Sequence, residues 1–122
     1  MFPLSDVIPS RTRPVVTISL IALNALMFLY QVRLDDVALQ RLVFELGVIP
    51  RFFSYSDVVT SMFLHGDILH FLGNMVFLWI FGDNVEDRVG HGGFILFYIG
   101  TGAAAALAQV FANPASVVPM IG

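Results

Sequence analysis

Residues 14–32 read PVVTISLIALNALMFLYQV, a run without a single charge set between Arg13 and Arg33. At about 1.5 Å per helical residue, such a run covers a hydrocarbon layer of about 30 Å. Pro14 suits a first helical position, where its missing N–H is not needed. A cleaved signal peptide is the rival reading. It requires a shorter apolar region with a small-x-small site close behind, whereas this run is followed by Tyr30-Gln31-Val32-Arg33-Leu34.

The composition agrees with a membrane reading. Of 122 residues, 57% are hydrophobic and 12% charged, about half the ~25% charge of a soluble domain. So small a body cannot bury that much apolar surface in water. A disordered chain, a disulfide-stapled module and a basic nucleic-acid binder are excluded by hydropathy, the absence of cysteine and the net charge of -3. The expected partner is the lipid bilayer, with no nucleic acid.

Two further apolar runs follow. One lies between Asp67 and Asp83 and is extended by Met62, Phe63 and Leu64. The other runs from Gly92 to Ala112, where Asn113-Pro114 stops it. The expectation is an all-α, polytopic helical membrane protein with spans at about 14–32, 64–84 and 92–112. Residues 1–13 form an N-terminal tail. Residues 33–63 form a first loop, in which Leu39, Leu42, Val43 and Leu46 mark a short interfacial helix ending at Gly47 and Pro50. Residues 113–122 read as loop. Arg11 and Arg13, packed against the first span, favour a cytoplasmic N-terminus.

Polar groups inside apolar runs are functional candidates. Asn24, mid-way along the first span, reads as an interhelical hydrogen bond. His70 and Asn74 are four apart and share one helix face. As two donors they either cradle a developing oxyanion or tie helices together. Gly73 beside them permits close backbone approach. A metal site from His65, Asp67, His70 and His91 is disfavoured: His65 and His70 are five apart, and the glutamate-containing zinc-protease spacing is absent. No metal or cofactor is expected. Glu86 and Arg88, in the turn 82–90, either are solvated or pin that turn to a neighbour. Gly100, Ala104 and Ala108 form a small-residue stripe expected to pack against another helix. None of Ser5, Ser10, Ser19, Ser54, Ser56, Ser61 and Ser116 has the glycine-flanked setting of a hydrolase nucleophile.

Residues 60–66 (TSMFLHG), 70–75 (HFLGNM), Phe81-Gly82 with Val85-Glu86 and Gly90, the tail 114–122, and Asn24 with Phe28 closely resemble the rhomboid family of intramembrane serine proteases. The resemblance covers about residues 14–122, read as a partial rhomboid domain. It implies the first three helices of a six-helix bundle, with 113–122 leading to a fourth span beyond this chain. It implies a serine-type endopeptidase that cleaves transmembrane protein substrates without a cofactor, in a bacterial inner membrane. His70 and Asn74 match positions that help form the oxyanion hole, His65 a structural histidine, and Glu86 with Arg88 a turn that braces the first loop. The Trp-Arg pair often found late in that loop is not visible near Asp57-Val58-Val59-Thr60. The nucleophilic serine and base histidine are not within residues 1–122, so this polypeptide alone is expected to be inactive. The alternative is a non-catalytic rhomboid-like protein that binds transmembrane helices of clients. A channel or transporter subunit is a weaker third reading, because only the second run offers polar lining.

Overall fold

A computed structural model describes residues 13–121; the expected tail therefore falls, apart from Arg13, outside the described residues. Among the described residues there are five α-helices: α1 Val15–Arg33, α2 Asp36–Leu46, α3 Tyr55–Ser61, α4 Ile68–Phe77 and α5 Asp83–Ala112. A 3-10 turn, Pro50–Phe52, precedes α3, and a π-helical segment, Leu78–Gly82, joins α4 to α5. Among the described residues there is no β-strand, only one antiparallel bridge between Val48 and Met120.

Helix α1 is apolar outside and polar inside. Its buried residues are Val16, Thr17, Asn24 and Gln31. The three polar ones recur every seven residues and so fall on one face. The opposite face leaves Leu23, Leu26 and Leu29 more than half exposed. That arrangement suits a solvent as apolar as leucine, where polar groups turn inward to find partners. The chain is accordingly a helical membrane protein.

Helices α4 and α5 and the π segment form an unbroken 45-residue stretch, Ile68–Ala112. Straight, it would reach about 67 Å, over twice the hydrocarbon thickness. It is not straight. Gly90 has φ 82° and ψ 167°, a backbone region essentially restricted to glycine. Beyond it the chain doubles back: Phe94 packs with Leu78 and Val16 in one buried cluster, although Leu78 lies sixteen residues earlier. Two antiparallel arms, 68–89 and 91–112, result. The first arm's helix begins at Ile68, later than 64; residues 62–64 instead form turns that hydrogen-bond back to α3.

A second cluster, Val48, Val58 and Ala106, joins the far end of the second arm to the first loop. The small-residue stripe meets no helix among the described residues. Gly100, Ala104 and Ala108 are exposed, while Ala103 and Ala106 face the packed side. A Cβ on Gly102 would run into the Met62 side chain. The helical phase is set by what lies opposite, and Met62 and Val58 lie opposite 102 and 106.

Helix ends follow local chemistry. Asp35 caps α2 by accepting from Ala38 N–H at 2.8 Å. Asp67 caps α4 by accepting from His70 N–H at 2.7 Å. Gly90→Ala should lower stability by about 1–3 kcal/mol, because alanine must enter a glycine-only region. Unfolding in detergent micelles measures this, and an unchanged midpoint would contradict the described turn.

Candidate functional site

Pro14 precedes α1 and offers no side-chain cap, so the first N–H groups of α1 need partners from elsewhere. Glu86, 1% exposed, supplies them. Its Oε2 accepts from Val16 N–H at 2.8 Å. Its Oε1 accepts from Thr17 N–H at 2.8 Å and Thr17 Oγ1–H at 2.9 Å. His91 Nδ1 also meets Oε2. A carboxylate at a helix N-terminus is favoured by the helix dipole as well. Gly82 makes the approach possible: a Cβ there would lie 2.9 Å from Thr17 Oγ1 and 3.0 Å from its Cγ2. The partners of Glu86 thus lie on α1 and α5, not on residues 33–58. Arg88 is exposed and makes no hydrogen bond or ion pair with the described residues.

The opposite end is organised around His65. Gln31, in the last turns of α1, grips its backbone twice: Gln31 Nε2–H donates to His65 O at 2.9 Å, and His65 N–H donates to Gln31 Oε1 at 3.1 Å. Phe71 meets the His65 ring edge-on at 5.4 Å and stacks on Phe28 at 4.5 Å. The His65 ring is buried, and its Nδ1 has no partner among the described residues. His65 precedes the span that starts at Ile68. Burial, and then the neighbouring His70 imidazole, hold it below the ordinary imidazole value.

His70 and Asn74 both sit on α4, one turn apart. Asn74 is half-buried and His70 exposed. The His70 ring lies 5.6 Å from that of His65. Between the two arms runs a cleft of about 500 Å³ lined by His65, Asn74, Met75, Tyr98 and Thr101 among others. Asn74 and His65 therefore share one cavity, and His70 stands outside its lining. Gly73 meets no atom within 4 Å of a Cβ position, so the close approach expected there is not made by described residues. Asn24 is fully buried; its Nδ2–H donates to Leu20 O at 2.7 Å and to Tyr98 Oη at 3.4 Å, while its Oδ1 has no partner among the described residues. His91 lies at the Glu86 end, remote from His65 and His70.

Sequence reasoning missed Gln31, Thr17 and Tyr98. Each is a polar group at a regular position in an apolar run, and the seven-residue spacing of Thr17, Asn24 and Gln31 is the signal that marks a buried face.

The family model described as Rhomboid domain matches residues 53–122. No curated protein and no solved structure gives a match.

Replacing Glu86 with alanine leaves two buried N–H groups of α1 without acceptors. The expected loss is about 2 kcal/mol or more, with a smaller loss for Glu86→Gln, whose amide oxygen still accepts. Denaturant titration of the detergent-solubilised protein checks this; equal stability of all three proteins would remove Glu86 from the role of cap.

Proposed function

Because the chain belongs to the rhomboid family, we propose that it is the N-terminal part of an intramembrane serine-type endopeptidase acting on transmembrane protein substrates. In this reading His70 and Asn74 donate hydrogen bonds to the oxyanion of the tetrahedral intermediate. The serine nucleophile and base histidine come from sequence beyond Gly122. The N-terminus lies in the cytoplasm of a bacterium, and the 33–63 loop with the 113–122 segment faces the other side of the inner membrane. Glu86, His65 and Gly73 serve the structure, and the exposed Arg88 lies in the last helical turn before the Gly90 reversal.

What supports the reading most is the placement of Asn74. Its amide lines a cleft that is otherwise largely apolar, one helical turn from His70. A donor aimed at a developing oxyanion in a water-poor site typically contributes ~10²–10³ in rate. Such a donor acts without a cofactor, since it answers charge that appears only as the carbonyl is attacked.

The second reading, a non-catalytic protein that binds client helices, draws on the same cleft: an apolar channel between two antiparallel arms fits an apolar segment. Turnover separates the two. In the full-length protein, Asn74→Ala or His70→Ala should lower cleavage of a transmembrane substrate by about 10-fold or more while the protein still folds. Unchanged rates in both variants would remove the oxyanion assignment. The polypeptide 1–122 alone should take no label from a fluorophosphonate probe, whereas the full-length protein should. Failure of the full-length protein to label would favour the helix-binding reading.

A further inference from the structure

The segment that follows α5 is not helical, yet it is firmly held by the first loop. Val48 N–H donates to Met120 O at 3.0 Å, and Met120 N–H donates to Val48 O at 2.8 Å. Four residues earlier on this segment, Ser116 O accepts from Arg51 N–H at 3.0 Å. Side chains root the same clasp: Val48 is fully buried with Val58 and Ala106, and Met120 packs against that cluster.

Gly47 sets how close the two segments come. A Cβ there would lie 2.5 Å from Val43 O, 3.1 Å from Pro119 Cβ and 3.2 Å from Met120 O. Val43 O belongs to the end of α2, and Pro119 Cβ and Met120 O to the facing segment, so a side chain here would meet both. The backbone of Gly47 itself is ordinary extended chain, with φ -79° and ψ 158°. It is the space beside it, and not a special dihedral angle, that requires glycine.

We propose that Gly47 and Val48 are positioning residues for the reaction, because the main-chain clasp of Val48, with the bare Cα of Gly47 beside it, fixes the height and direction from which the chain leaves Met120 toward the nucleophile. This rests on the reading above, in which the serine follows this segment. Their leverage comes from geometry: a misplacement of about 1 Å, caused far from the chemistry, can lower a rate ~10²-fold.

Two changes in the full-length protein test this, read with a transmembrane peptide substrate in detergent. Gly47→Val should lower kcat by about 10- to 100-fold with KM within about twofold, since substrate binding does not use the clasp. A folded Gly47→Val protein with wild-type kcat overturns the proposal. The second change is Met120→Pro, which removes the N–H that donates to Val48 O. It should lower kcat by about 10-fold with KM within about twofold. A folded Met120→Pro protein with wild-type kcat overturns the clasp as a feature of the working enzyme. Where Gly47→Val does not fold, Met120→Pro alone decides. The oxyanion assignment fails separately: unchanged turnover in His70→Ala and Asn74→Ala, beside a lowered kcat in Gly47→Val, would reject those donors and retain the clasp.

Discussion

One buried carboxylate ties the first helix to the rest of the molecule. Glu86 lies in the first arm of the hairpin, before the Gly90 reversal, and meets the bare N-terminus of α1 through both of its oxygens. Pro14 cannot cap that helix with a side chain, and Glu86 accepts from its buried N–H groups instead. The hairpin thus satisfies the N-terminus of α1. Gly82 permits the contact and Gly90 sends the second arm back along the first. Phe94 then reaches Val16 and Leu78 to close the cluster beneath.

The other end of α1 uses a different device for the same purpose. Gln31 holds the backbone of His65 by two hydrogen bonds, which fixes the turn from which α4 departs. Asn74, two turns into α4, then faces the cleft. Between the two ends, Asn24 meets Tyr98 of the second arm. One face of one helix thus sets the height of the first arm at both ends and of the second arm at its middle. The first loop, through Val48 and Thr60, fastens what remains. Thr60 Oγ1–H donates to Leu46 O at 2.7 Å, which holds α3 to the end of α2.

The all-helical membrane class was legible in the sequence because charge is confined to a few short stretches, and the rhomboid resemblance was legible in residues 60–90. The packing phase of the last helix was not. Gly100, Ala104 and Ala108 make as regular a stripe as the face that packs, and small residues carry no label saying which side has a neighbour. The partner of Glu86 was also hidden. Nothing in residues 82–90 points to α1, since the reason for the contact lies 72 residues earlier, in Pro14, which leaves a helix end uncapped. The joint placement of Asn74 and His65 could not be read from spacing, because it depends on the turn at 62–67. The clasp at Val48 and Met120 is main-chain bonding, which side-chain patterns do not encode.

The polar face of α1 has a consequence in time. The groups that satisfy Thr17, Asn24 and Gln31 arrive 69, 74 and 34 positions later in the chain. At a synthesis rate of about 5–20 residues per second, the gap between Thr17 and Glu86 lasts about 3–14 s. Until residue 65 is made, a helix with three inward polar groups has none of these partners, and from there to Glu86 only that of Gln31 has been made. It needs a wet or protein-lined place to wait, so the order of assembly is written into the spacing of its hydrogen bonds.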